Sequence, residues 1–118
     1  MTAEELAKLL QPAVGLMLNQ RLSQTVIAVR ALQDDECEEG TPKGSVILQR
    51  ARPGNAGPVL HPDDVESLAW YPVADPSMLL LDIYSRSKGP RSIVFTGPPE
   101  AVAAALARII PAPTSASQ

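Results

Sequence analysis

The chain has 118 residues, a hydrophobic fraction of 45% and a net charge of −3. The length and the hydrophobic fraction are typical of one small globular domain with its own core. The acidic balance argues against a nucleic-acid-binding role driven by bulk positive charge, so we expect no nucleic acid among the partners. No apolar run approaches the roughly 20 residues that a membrane helix needs, so we expect no transmembrane segment.

The cysteine content and the first residues bear on location. Cys37 is the only cysteine, so it cannot form an internal disulfide, and this fits a reducing compartment. The N-terminal segment MTAEELAKLL carries acidic side chains where a secretory signal carries basic ones. Together these observations favour a cytoplasmic location.

The first predicted element is a helix that starts after Thr2. Thr2 and Glu5 have the spacing of a capping box, in which each side chain accepts a hydrogen bond from the other residue's backbone amide. Leucines then recur at helical spacing and predict an apolar stripe. Pro12 lacks an amide proton and should end or kink this helix, with a short continuation to Asn19 as an option.

Alternating apolar residues then predict a series of strands joined by short loops and turns. Met78–Ser85 is nearly continuous in apolar residues and should be the most buried strand, whereas Pro72 indicates a strand end or a sheet edge. The predicted strands are Ser23–Leu32, Ser45–Ala51, Val59–Leu60, Val65–Val73, Met78–Ser85 and Ser92–Thr96. The predicted connections include an acidic loop, Gln33–Lys43, and turns at Arg52–Pro58, His61–Asp64, Ala74–Ser77 and Ser87–Pro90.

A second helix is predicted near the C-terminus. Gly97-Pro98-Pro99-Glu100 indicates its start, because proline is tolerated in a first turn and the helix dipole favours the glutamate. Prolines after Ile110 end it. We therefore predict one α+β domain over residues 1–111, followed by a flexible C-terminal tail at 112–118.

Short turns between the strands favour antiparallel pairing over parallel crossovers. Two architectures fit this element order. One is an antiparallel meander of about five to seven strands with an N-terminal and a C-terminal helix. The other is a single antiparallel sheet with helices on one face.

The second half of the chain resembles the later half of a pleckstrin-homology-like domain. The likeness is carried by the strand HPDDVESLAWYPV, the hairpin MLLLDIYSRSKGPRSIVFT and the helix after Gly97-Pro98-Pro99. The resemblance implies a meander that folds into a half-open barrel, with the C-terminal helix plugging one end. Domains of that family usually carry a tryptophan in the final helix, and this helix has none.

Six of the ten basic residues fall in two stretches free of acidic residues. They are Lys43, Arg50 and Arg52 around the second predicted strand, and Arg86, Lys88 and Arg91 around the Ser87–Pro90 turn. The first group resembles the pattern with which some pleckstrin-homology-like domains bind inositol phosphates. Phosphoinositide or anionic-membrane binding is therefore one hypothesis, and it requires the two groups to lie near each other. The alternative is that these are ordinary solubilising charges.

No motif predicts catalysis or metal binding. The acidic run at 34–39 lacks the glycine and the terminal glutamate of an EF-hand loop, so we expect no metal site. His61 is the only histidine, and an enzyme would need a pocket that brings it to a carboxylate or a hydroxyl. We expect no cofactor and no enzymatic activity.

The leading hypothesis is a non-catalytic protein-interaction or scaffold module, with a larger parent protein and self-association into a homo-oligomer as options. Trp70 and Tyr71 should point to opposite sides of one strand, so that one ring is core and the other is exposed. An exposed aromatic ring near a sheet edge is a candidate anchor for a protein partner. Trp70 and Tyr71 are therefore the candidate interface residues.

Overall fold

The structure is a computed structural model that describes residues 1–18, 24–37, 40–51 and 57–109. The helices within these ranges are α1 (Ala3–Leu10) and α2 (Pro99–Ala107). The strands are β1 (Met17–Leu18), β2 (Val26–Ala31), β3 (Val46–Arg50), β4 (Val59–Leu60), β5 (Val65–Pro72), β6 (Met78–Ser85) and β7 (Gly89–Thr96). The tail predicted at 112–118 lies outside the described residues.

The helix α1 begins at the predicted capping box. The Glu5 amide donates to the Thr2 hydroxyl at 3.1 Å, and the Thr2 amide donates to the Glu5 carboxylate at 3.0 Å. These hydrogen bonds with Thr2 hold the pKa of Glu5 below its usual range. Leu6 and Leu10 are fully buried in the core, so the apolar stripe of α1 is its packing face.

The end of α1 was only partly predictable. Pro12 lies in a 3₁₀ turn, Gln11–Ala13, that follows the helix, as the proline predicted. The optional helical continuation is wrong, because the chain next forms β1, which pairs with the end of β7. A strand of two residues has no periodicity of its own and depends on a distant partner. Asn19 itself lies outside the described residues.

The strands β1, β7, β6 and β5 form an antiparallel sheet in that spatial order. β6 and β7 are the predicted hairpin, and Ser85 opposite Gly89 is its last pair. β5 is an edge strand that ends at Pro72, as the proline indicated. The side chains of β6 alternate between buried and more exposed positions, so the sheet has one buried face.

The hairpin turn is shorter than predicted, because Pro90 lies in β7. The Gly97 amide donates to the carbonyl of Ser77, which fixes the alternation of the ladder between β7 and β6. By that alternation the nitrogen of Pro90 faces away from β6. The proline therefore removes no hydrogen bond from the hairpin, and the strand continues through it.

The strands β2, β3 and β4 form a second antiparallel sheet in that order. The pairing of β2 with β3 shifts between Val26 and Ala28, which makes Ile27 the extra residue of a β-bulge. The bulge breaks the alternation that the sequence predicted for β2. Val26 and Val29 are both buried as a result, and Ile27 is 51% exposed.

One core joins the two sheets and both helices. The sheets adjoin at β1, where Met17 forms an isolated antiparallel bridge with Thr25. The largest fully buried apolar side chains of the core are Leu6, Leu10, Leu16, Val26, Val46, Leu48, Leu79, Leu81 and Phe95. The predicted α+β class is confirmed. The strands do not close into a barrel, so antiparallel sheets with helices on one side describe the architecture.

Candidate functional site

The sheet of β5, β6 and β7 turns one face to the core and the other face away from it. Residues that oppose each other across an antiparallel pair lie on the same face, so the pairing assigns each side chain. We call the side that faces away from the core the outer face. The described side chains of β5, β6 and β7 on this face are Ser67, Ala69, Tyr71, Met78, Leu80, Asp82, Tyr84, Pro90, Ser92, Val94 and Thr96.

Three large side chains of the outer face are open to solvent. Tyr71 is 48% exposed, Tyr84 is 47% exposed and Val94 is 41% exposed. A shallow depression of about 710 Å³ crosses this region and includes Tyr71, Asp82 and Tyr84 in its lining. Single exposed apolar residues are common on soluble proteins, but a group on one surface is typical of an interaction site.

Neither described helix covers the outer face. The buried side chains of α1 and α2, such as Leu10 and Val102, belong to the core. Leu81 and Phe95 of the inner face belong to the same core and are fully buried. The packing of these elements therefore lies on the inner side of the sheet, and the described helices leave the opposite side uncovered.

One carboxylate interrupts the apolar character of the outer face. Asp82 stands between Leu80 and Tyr84 along that side of β6. The Ser92 hydroxyl donates to the Asp82 carboxylate at 2.7 Å. Among the described residues Asp82 forms no ion pair, and Arg91 is the basic residue that lines the same depression.

The predicted opposition of Trp70 and Tyr71 is confirmed, and it separates their roles. The Trp70 indole Nε1 donates to the Leu9 carbonyl at 2.8 Å. Its ring lies 5.3 Å from the Phe95 ring, with an angle of 44° between the planes. Trp70 therefore joins the end of α1 to the inner face. Tyr71 is the member of the pair that a partner can reach.

The predicted basic residues do not all take the same place in the fold. Arg50 at the end of β3 and Arg91 in β7 line one cleft beside the free part of the β7 edge. Arg86 is exposed at the hairpin tip. Arg52 lies outside the described residues. The structure thus brings one arginine from each predicted group to a common cleft.

The two lysines of these groups lie beside carboxylates. Lys43 Nζ is 3.9 Å from a carboxylate oxygen of Asp34. Lys88 lines a hollow of about 590 Å³ that also includes Asp63 and Asp64. Neighbouring acidic groups offset the attraction of a lysine for phosphate. Phosphoinositide binding by the six residues together stays a prediction.

The same hollow contains His61 together with carboxylates and hydroxyls, the combination that an enzyme would need. His61 Nε2 lies 2.9 Å from the Lys43 carbonyl oxygen, and the Asp63 amide donates to Nδ1 at 3.1 Å. Nε2 is therefore the protonated nitrogen, and both ring nitrogens have backbone partners. In this arrangement His61 ties the loop at Lys43 to the following turn.

Asp64 ties the same turn to the tip of the hairpin. The Ser85 hydroxyl donates to one Asp64 carboxylate oxygen at 2.5 Å, and the Ser87 amide donates to the other at 2.9 Å. The Arg86 amide donates to the Asp64 carbonyl at 2.8 Å. Hydrogen bonds from Ser85 and then Ser87 hold the pKa of Asp64 below its usual range.

Within the described ranges, there is no group of three or more His, Cys, Asp or Glu side chains that could hold a metal ion. None of the helices there is long and apolar enough to span a bilayer. Cys37 is a free cysteine whose thiol lies 3.5 Å from the Gln33 carbonyl.

No protein-family model, no curated protein and no solved structure matches this chain. The likeness to pleckstrin-homology-like domains therefore stays a prediction from the sequence pattern.

Proposed function

We propose that this domain is a protein-interaction module and that the outer face is its binding surface. The observation that carries the proposal is the placement of the aromatic residues. The chain has only four aromatic side chains, one Trp, two Tyr and one Phe, and both tyrosines lie exposed on this one face. Tyrosine is enriched in protein interfaces, because its ring offers a large contact area and its hydroxyl a hydrogen bond.

The occupant that fits this surface is an unlike protein with an apolar patch next to a basic side chain. Tyr71, Tyr84 and Val94 supply the apolar contact, and the Asp82 carboxylate, which forms no ion pair with the described residues, offers an acceptor for a cationic side chain. A second copy of the chain would bring a second Asp82 to the same patch. Burying two like charges together is unfavourable, so the charge favours an unlike partner over self-association.

Site-specific photo-crosslinking in the cells that make the protein tests this proposal. A photoreactive amino acid replaces Val94 on the outer face, or Val59 on β4 as a matched control that is 36% exposed. We expect an adduct from position 94 and none of the same mass from position 59. Asp82→Arg should abolish that adduct, and Asp63→Arg, which changes an exposed carboxylate elsewhere, should leave it intact.

Two outcomes would count against the proposal. An adduct of twice the mass of this chain, matched by a dimer in light scattering, would make a second copy the occupant instead of an unlike protein. Equal adducts from positions 94 and 59, or an adduct unaffected by Asp82→Arg, would remove the outer face as the binding surface.

A further inference from the structure

A second surface, which shares Met78, Ser92 and Val94 with the outer face and extends past the edge of β7 to β3, has the features of a ligand site. It is an open cleft of about 740 Å³ between the edge of β7 and the end of β3. This volume is in the range of sites for small organic molecules, about 300–1,000 Å³. The described residues that line it include apolar side chains from four segments of the chain: Leu18, Pro58, Met78, Ile93 and Val94.

Two arginines line this cleft, and neither forms an ion pair with a carboxylate of the described residues. Arg50 donates from Nη1 to the Gln24 side-chain carbonyl, which is a neutral partner. Its Nε is buried and has no hydrogen-bond partner among the described residues. Arg91 forms no ion pair with any carboxylate of the described residues, and none of the described lining residues is acidic. A partly desolvated guanidinium without an anion is unfavourable, so this arrangement favours a bound anion.

An orphan hydroxyl points to a ligand independently of the charge. Thr96 lines the cleft and is only 7% exposed, yet its Oγ1 has no hydrogen-bond partner in the part of the chain that the structure describes. Buried hydroxyls are nearly always paired, because an unpaired one loses its hydrogen bonds to water on folding. The hydroxyl can donate to an oxyanion, as can the free Nε of Arg50.

From these features we infer that the cleft binds a small amphiphilic oxyanion, with a phosphate or carboxylate head and an apolar tail. The head accepts hydrogen bonds from Arg50, Arg91 and the Thr96 hydroxyl. The tail packs against the apolar wall of Ile93, Val94 and Met78. Guanidinium groups suit this head because they offer planar pairs of donors. The inference does not depend on the proposed protein partner.

Titrations monitored by ¹H–¹⁵N correlation spectra test the inference with three probes of equal tail length. They are hexyl phosphate, hexanoate and the neutral hexanol. We expect saturable shifts at β7, Leu18 and Arg50 with one or both anions and none with hexanol. The anion that binds more tightly identifies the head group. Equal shifts with hexanol, or anion shifts centred on Lys88 and His61, would overturn the inference.

Arginine variants separate the cleft from the general charge of the protein. Arg91→Gln should weaken binding about tenfold or more, because it removes a charged hydrogen bond. Arg86→Gln removes the same charge from the exposed hairpin tip and should leave binding unchanged. An equal loss from both variants would mean non-specific attraction and would refute a built site.

Thr96→Val gives a test in which stability and binding change in opposite directions. Valine has the shape of threonine without the hydroxyl, so it removes the unpaired buried group. We expect the melting temperature of the free protein to rise and the affinity for the bound anion to fall. Unchanged affinity, or a fall in both quantities, would show that the Thr96 hydroxyl serves the fold and not a ligand.

Discussion

At the scale of single residues, Gly57 occupies the position where a side chain is least tolerated. Its φ is +91°, a conformation that side-chain-bearing residues rarely adopt, and a Cβ built there lies 2.2 Å from the Leu48 carbonyl oxygen. We expect Gly57→Ala to lower the free energy of unfolding by about 2 kcal/mol or more, measured by urea denaturation.

Gly40 is the matched control for the backbone effect alone. It has the same φ of +91°, and no atom lies within 4 Å of a Cβ built there. Gly40→Ala should therefore cost only about 1 kcal/mol. Equal costs for the two variants would mean that Gly57 does not pack against Leu48 as described.

The hydrogen bonds of Asp64 predict how the stability of the protein depends on pH. The pKa of Asp64 is lowered in the folded protein, chiefly by the Ser85 hydroxyl, from an ordinary value of 3.8. A carboxyl with a lowered folded pKa stabilises the protein above its unfolded pKa and loses this effect as the pH falls through the folded value. Asp64→Asn should therefore lower the urea midpoint at pH 7, and the difference from wild type should shrink below about pH 3.8.

The neighbouring Asp63 provides the control for Asp64. Its carboxylate is exposed and lies 3.9 Å from a ring nitrogen of His61. Asp63→Asn should change the urea midpoint much less than Asp64→Asn at pH 7. A gap between wild type and Asp64→Asn that stays constant down to pH 2 would contradict the assigned hydrogen bonds.

At the scale of elements, the cap of α1 determines how firmly the helix starts. Thr2→Ala removes the hydroxyl that accepts from the Glu5 amide and should cost about 1 kcal/mol of stability. Thr2→Ser keeps that acceptor and should cost little. Urea denaturation followed by far-ultraviolet circular dichroism measures both variants. A loss as large in Thr2→Ser as in Thr2→Ala would argue against the capping box.

Elements with local signals could be predicted from the sequence, and elements fixed by distant pairing could not. The capping box, β6 and the start of α2 have their signals within a few residues. The bulge at Ile27 and the two-residue strand β1 exist because of partners in β3 and β7, which periodicity cannot reveal. Proline is typical of turns, so the sequence places Pro90 in the hairpin turn; it lies in β7 because its nitrogen faces away from the ladder with β6.

Part of the candidate site could also be predicted from local sequence patterns. The opposite placement of Trp70 and Tyr71 follows from strand alternation, and the structure confirms it. Tyr84 and Val94 are surface residues that the sequence analysis missed, although strand alternation within MLLLDIYS and SIVFT assigns each of them to a face. What alternation alone cannot give is which face of the sheet the helices cover, because that depends on packing across the whole chain.

At the scale of the whole molecule, the two faces of one sheet should differ sharply in their effect on stability. Leu81→Ala on the inner face removes a fully buried side chain and should cost roughly 2–5 kcal/mol. Tyr84→Ser on the outer face should cost less than about 1 kcal/mol. Urea denaturation compares the two. A large cost for Tyr84→Ser would mean that the outer face is part of the fold and not a free surface.

The most direct test of the outer face as a protein-binding surface is hydroxyl-radical footprinting of the chain, purified and inside its own cells. In the purified protein, Tyr71 and Tyr84 should oxidise readily. Inside the cells both tyrosines should become several-fold less reactive, while Ile27, which is 51% exposed on the other sheet, keeps its rate. Tyrosines that react in the cells as fast as in the purified protein, relative to Ile27, would contradict the account.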